Sequence, residues 1–248
     1  MTKPKMILFD YGQTLISEQK FDGVKGTEAV LRHATRNKYN LSAEEVQKEA
    51  EAISRGALGR PAPEKRHLFQ IEVPNSMFNP YLYESQGIEV PLSTEEIDKI
   101  FWDNAAPGVP TEGIEDFLKY CRSENIRTGV ISNISYAPSV VADRIHTLLP
   151  ENDFEFILTS SNYIFRKPNK RIFDLALEKA GCKPEEVWYI GDQYECDIKG
   201  AENAGMFPVW YIGAIDLPYT EEEGVLTVKT WEELKGMMGD LVFMGNLQ

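Results

Sequence analysis

The sequence predicts an α/β protein: a parallel sheet with helices on both faces, interrupted after its first strand by an all-helical insertion. Three observations carry that expectation. The apolar run Met6–Phe9 is short and unbroken, as in a central parallel strand buried on both sides. From Thr111 onward helical and strand patterns alternate, which implies βαβ units. Between about residues 17 and 108 the pattern is helical and polar, with no convincing strand. The core is therefore read as residues 1–16 and 108–248, and residues 17–107 as a cap standing over the strand tips.

Taken in order, the first strand delivers Asp10 to its carboxyl end, where open α/β sheets place their chemistry. A carboxylate at the tip of a buried strand is costly unless something uses it. In the insertion, residues 27–31 read as helix, and Ser42 with Glu45 and Ser93 with Glu96 have capping-box spacing at two further helix starts. Residues 75–87 read as a loop and candidate lid, with Pro80 and Gly87 limiting its conformations. Helix 112–123 then leads to strand 128–131, helix 137–148 to strand 154–158, and helix 169–180 to strand 187–190. A short helix through Ala201 and Ala204 closes at Gly205, a C-cap position, before strand 208–212.

Composition excludes some functions. With 26 basic and 39 acidic residues the chain carries a net charge of −13, which argues against nucleic acid or an anionic membrane surface as partner. An anionic substrate must then meet a locally positive site. Cys121, Cys182 and Cys196 form no C-x-x-C pair and are expected as free thiols. No signal-peptide core and no run of 18 apolar residues appears. The expectation is a soluble cytoplasmic protein, monomer or homodimer.

Polar residues gather at the expected strand tips. They are Asp10, then Ser132 and Asn133, then Lys167 followed by Pro168, which is placed near the first turn of the next helix, and finally Asp192 with Asp197 five residues on. Carboxylates from two strands, a backbone carbonyl and water make the hard oxygen site that Mg²⁺ prefers. His33, His67 and His146 match no zinc spacing. A carboxylate there can attack phosphorus in line while Lys167, Ser132 and the metal neutralise the transferring oxygens.

These motifs, in this order, resemble the haloacid dehalogenase superfamily: the string from Asp10 to Thr14, Ser132 after an apolar strand, Lys167-Pro168, and Gly191-Asp192 with Asp197. The resemblance covers a Rossmann-like core, and the insertion is similar to that family's C1-type helical cap. It implies a Mg²⁺-dependent phosphatase of a small phosphorylated metabolite, with Asp10 as nucleophile and metal ligand. Gly12 would bind the metal through its backbone carbonyl and Asp192 through its side chain, with Asp197 acting through water or from behind. Thr14 would fix the loop, Ser132 and Asn133 would bind phosphate, and Lys167 would bridge phosphate and nucleophile.

Position 12 departs from the pattern. Phosphatases of this superfamily carry a second Asp there, which protonates the leaving group and then activates water. Three readings are open. Gln13, Glu18 or a cap residue substitutes; or the reaction differs, as in phosphonatases, which need a cap lysine such as Lys25, Lys38 or Lys48; or the scaffold binds a phosphorylated ligand or a protein without turnover. Dehalogenation itself needs no metal and does not explain Asp192 and Asp197.

Arg166 is an alternative cation to Lys167, and Glu195 reads as solvated. The basic run from Arg60 to His67 is either a solvated loop or a receptor for a second anionic group. Phe78, Tyr81, Tyr83, Phe101 and Trp102 either pack inside the cap or line a pocket.

Overall fold

The computed structural model describes residues 2–214 and 224–245, the last six as backbone only. The chain opens with β1 (Met6–Phe9) and β2 (Ile16–Glu18) and enters four helices, α1 (Gly23–Leu31), α2 (Ala43–Ala52), α3 (Asn75–Ser85) and α4 (Thr94–Ala105). Two short strands lie among them, β3 (Arg36–Asn37) and β4 (Ile88–Glu89). After β5 (Gly108–Pro110) come α5 (Ile114–Ser123), β6 (Arg127–Ser132), α6 (Pro138–Leu148), β7 (Ile157–Thr159), α7 (Ser160–Tyr163) and α8 (Lys170–Ala180). The chain continues through β8 (Val187–Gly191), α9 (Lys199–Ala204), β9 (Phe207–Tyr211), β10 (Leu226–Val228) and α10 (Trp231–Gly245).

Six strands form one sheet in the order β10, β9, β8, β1, β6, β7, with every neighbouring pair parallel. The period-2 alternation of a strand explains its two-sided core. Ile7 and Phe9 pack with α5, α6 and α10, whereas Met6 and Leu8 pack with α8 and α9. All four residues are fully buried, which is why β1 reads as an unbroken apolar run. Because β1 lies between β8 and β6, Asp10 emerges in the middle of the strand tips.

The inserted segment has its own apolar cluster, including Val30, Val46, Leu82, Tyr83, Ile88 and Ile97. Both expected capping boxes are formed, at Ser42 and Ser93. The two crossings between sheet and insertion run side by side, because β2 pairs antiparallel with β5. Asp98 of α4 is fully buried. It accepts hydrogen bonds from Asn75 and Asn79 and from the backbone N–H of Ala137 at 2.8 Å, pinning the insertion to the start of α6.

Several expectations need correction. The insertion is not all-helical, since β3 and β4 pair antiparallel; two residues each are too few to leave an alternating pattern. Residues 75–85 form helix α3 rather than a loop, although Pro80 lies inside it and its N-cap, Pro74, offers no side-chain bond. Those two features disguise it in sequence. Strand 154–158 is observed as β7, Ile157–Thr159, and helix 112–123 starts at Ile114. Pro168 precedes the N-cap Asn169 and so lies outside the first turn of α8. Strand β10 and helix α10 were not anticipated. Gly205 does cap α9, at φ 83° in the left-handed region. The three cysteines are free thiols. No helix among the described residues is long and apolar enough to cross a membrane.

Candidate active site

The loop after β1 is held mainly by backbone bonds. The N–H of Asp10 donates to the Ile190 carbonyl at 2.8 Å, and those of Leu15 and Ile16 both donate to Tyr11. Gln13 takes the tight position at φ 52°, and its side-chain amide donates to the Glu18 carbonyl at 2.9 Å. The Thr14 carbonyl accepts from the Thr111 hydroxyl at 2.8 Å. Its own hydroxyl is buried without a partner among the described residues. Thr14 therefore anchors this loop through its backbone.

Lys167 is the hub. Its side chain is 2 % exposed, and its ammonium lies 2.6 Å from Asp10 Oδ1 and 2.7 Å from Asp197 Oδ1. It also donates to the Tyr189 hydroxyl at 2.7 Å and to the Ile131 carbonyl at 3.1 Å. Burial alone would lower its pKa, but the two carboxylates more than offset that and hold it above the usual value. Asn133 positions it: its side chain accepts from the Lys167 N–H at 2.7 Å and donates to the Lys167 carbonyl at 2.9 Å. Ser132 closes β6 and is buried. Arg166 cannot replace Lys167, because its guanidinium is paired with Glu72.

Asp10, Asp192 and Asp197 offer oxygens that all lie within 4.8 Å of one another. Asp197 sits in a single π turn, Tyr194–Ile198, and accepts from the Gln193 N–H at 2.9 Å and from Tyr189 at 3.3 Å. Burial and the neighbouring Asp10 push its carboxyl up to about 6 against the opposing effect of Lys167. Gly191 is required here, since an added Cβ would lie 2.4 Å from Asp197 Cγ. Asp192 is held through its carbonyl by Trp210 Nε1 at 2.8 Å, while its Oδ1 is buried without a partner among the described residues. Burial, Asp10 and Asp197 push its carboxyl well above the carboxylate range, and Lys167 offsets only part of this. Three carboxylates facing one ammonium, with an orphaned oxygen and no nitrogen or sulfur donor among them, fit a hard divalent cation.

Glu18 occupies the space beside Gly12. An added Cβ at position 12 would meet Glu18 Oε2 at 3.8 Å, and nothing nearer. Glu18 Oε1 accepts from Trp102 Nε1 at 2.8 Å and from the Tyr11 hydroxyl at 3.4 Å, with Arg144 at 3.7 Å. Burial raises its carboxyl above the usual range, and the donors around Oε1 oppose this. Glu18 lies on β2 opposite Gly108. Its pairing across the ribbon, absent from any sequence motif, brings it back to the loop that follows Asp10.

Other residues of this region escaped sequence reading. Tyr189 looks like an ordinary core strand residue yet bonds Lys167 and Asp197. Glu72 is 3 % exposed and joins Arg60, Arg166 and Ser160; in sequence it is a lone carboxylate between Ile71 and Val73, part of no motif. Of the three lysines considered for imine chemistry, Lys48 lines the cavity between insertion and sheet, Lys25 pairs with Asp22, and Lys38 lies over Tyr39. Glu195 is exposed. Tyr83 and Trp102 are buried and Phe78 and Phe101 pack on the insertion's apolar cluster, while all four also line the cavity between insertion and sheet; Tyr81 is exposed.

A parallel sheet with clustered carboxylates and a buried ammonium at its strand tips defines an α/β protein with a charged site at the carboxyl edge of its sheet. The chain belongs to the haloacid dehalogenase-like hydrolase family, whose description matches residues 4–205. It is 31% identical over 134 residues to mouse haloacid dehalogenase-like hydrolase domain-containing protein 3, covering 53% of this chain and 52% of that one. With the glyceraldehyde 3-phosphate phosphatase of Methanothermobacter thermautotrophicus it shares 41% identity over 88 residues, 34% of this chain and 37% of the relative. The matches thus span about half or less of these relatives' length. A HAD phosphatase structure from Thermococcus onnurineus matches with a TM-score of 0.61 at 20% identity, covering 96% and 98% of the two chains. A 2-haloacid dehalogenase from Pseudomonas syringae pv. Tomato also gives 0.61, at 18% identity and 97% and 99% coverage. A phosphatase and a dehalogenase fit equally well, so the fold does not choose the chemistry.

Proposed function

We propose that this protein is a Mg²⁺-dependent phosphatase of a small phosphorylated metabolite, acting through an aspartyl phosphate on Asp10 beneath a C1-type cap. One observation carries the reading: Asp10 is clamped by a buried ammonium at 2.6 Å, beside two further carboxylates, one with an orphaned oxygen. Asp10, the Gly12 carbonyl and Asp192 would hold the metal, with Asp197 reaching it through water or supporting it from behind. When bound, the cation neutralises charge on the transferring phosphoryl group.

The chain's own residues do the rest. A carboxylate oxygen of Asp10 attacks phosphorus in line, and the bond from phosphorus to the leaving oxygen breaks. Lys167, Ser132 and the Asn133 backbone stabilise the phosphoryl oxygens. Glu18 gives a proton to the leaving oxygen, then takes one from the water that attacks the aspartyl phosphate, releasing inorganic phosphate and Asp10. This assignment of Glu18 is supported by its 3.8 Å approach to the missing side-chain position and by the burial that favours its protonated form.

Phosphate release from a panel of phosphate esters, with and without Mg²⁺, tests the reading. Release that requires the metal and disappears in Asp10→Asn supports it. No release across the panel, with ligands still bound, replaces it with a non-catalytic scaffold.

A further inference from the structure

A cavity of about 920 Å³ lies between the insertion and the strand tips, reaching Gln13, Glu18 and Asn133 at its inner end. Six basic side chains line it, Lys20, Lys48, Arg55, Arg60, Arg66 and Arg166, against three acidic ones, Glu18, Glu44 and Glu51. This excess stands in a protein of net charge −13, so it runs against the overall balance. Glu18 is already engaged by Trp102 and Arg144, and Glu51 by Arg55 at 2.8 Å.

Of the basic run, Arg60 is half-buried and built in, whereas Arg66 is exposed to solvent on the cavity wall. Arg60 lies 3.2 Å from the fully buried carboxylate of Glu72 and donates to the Val73 carbonyl at 3.3 Å. Its guanidinium stands over the Phe69 ring at 5.6 Å, and its Nε is buried with no partner among the described residues. Arg166 pairs with the other oxygen of Glu72, which also accepts from the Ser160 hydroxyl at 2.7 Å. One carboxylate therefore serves two guanidiniums. The guanidinium of Arg66, in the turn Pro63–Leu68, makes no ion pair or hydrogen bond among the described residues. With fewer carboxylates than cations along it, the cavity wall is locally positive and suited to an anion.

Resting on the phosphatase reading, we infer that the substrate carries a second anionic group, a carboxylate or a further phosphate, received by Arg66 with Arg60 and Arg166 while its phosphoryl group sits at Asp10. Arg166 immediately precedes Lys167 in sequence, so one short segment serves both ends of such a molecule. Guanidinium forks suit either anion.

Matched ester pairs test this: 3-phosphoglycerate against glycerol 3-phosphate for the carboxylate, and fructose 1,6-bisphosphate against fructose 6-phosphate for the phosphate. The expected result is a kcat/KM preference of about ten-fold or more for the doubly anionic member of one pair, carried by KM. Arg66→Gln removes that preference and Arg66→Lys keeps part of it. Equal kcat/KM within both pairs, or a preference unchanged in Arg66→Gln, overturns the inference. If no ester is hydrolysed, the phosphatase reading fails separately, and calorimetric binding of the same pairs decides. Tighter binding of the doubly anionic member, lost in Arg66→Gln, supports the anion site; equal binding overturns it.

Discussion

The strand tips and the insertion side of the neighbouring cavity balance charge in opposite ways. At the strand tips the single cation, Lys167, is over-satisfied, held by two carboxylates, a hydroxyl and a carbonyl. At the insertion end the cations are under-satisfied: Arg60 and Arg166 share Glu72, and Arg66 has no carboxylate among the described residues. On the proposed reading, the difference separates chemistry from selection. A fixed constellation is pre-organised for one reacting group, whereas unmatched cations leave an opening for whatever the substrate brings.

The comparison breaks most sharply at the inner end. Asp10→Asn is expected to lower phosphate release by about 10⁴-fold or more, in a steady-state assay with Mg²⁺. Glu18→Gln follows, with turnover reduced by about 10²–10⁴-fold and a larger loss for poor leaving groups than for p-nitrophenyl phosphate. Gly191→Ala drives a methyl into Asp197 and displaces the partner of Lys167. The expectation is about a 10²-fold loss of turnover with about 1–3 kcal/mol of destabilisation, read by urea unfolding. At the outer end, the Arg66→Gln change in ester preference is only about ten-fold.

The smallest effect tests what joins the two ends. Asp98→Ala leaves the donors on Asn75, Asn79 and Ala137 without their acceptor. It should cost about 1–3 kcal/mol in unfolding experiments, and raise KM more than it lowers kcat. A reduced kcat with KM unchanged would place the inner constellation under the control of that contact, against the separation described above.

The inner end was largely legible in sequence, because most of its groups follow strands and strands announce themselves. Asp10, Ser132 and Asp192 lie just after or within recognisable apolar runs, whereas Lys167 comes only after α7 and was legible by the proline that follows it. Asp197 was visible as a carboxylate, but its burial depends on Gly191 leaving it room. Glu18 was only one candidate among several, because its closeness to Gly12 arises from the pairing of β2 with β5. The outer end was nearly illegible. A basic run looks the same whether water or a cavity faces it, and its counter-ion, Glu72, lies outside the run. Helix α3 was hidden by Pro80, and β10 by its length of three residues.

The central claim is that Asp10 carries the phosphoryl group and that Glu18 drives its release. Mass spectrometry of acid-quenched protein after incubation with p-nitrophenyl phosphate and Mg²⁺ tests both at once. In Glu18→Gln the peptide containing Asp10 should accumulate one phosphoryl unit, while wild type shows little and Asp10→Asn none. A Glu18→Gln protein that carries no adduct, or that clears it as fast as wild type, would contradict the account.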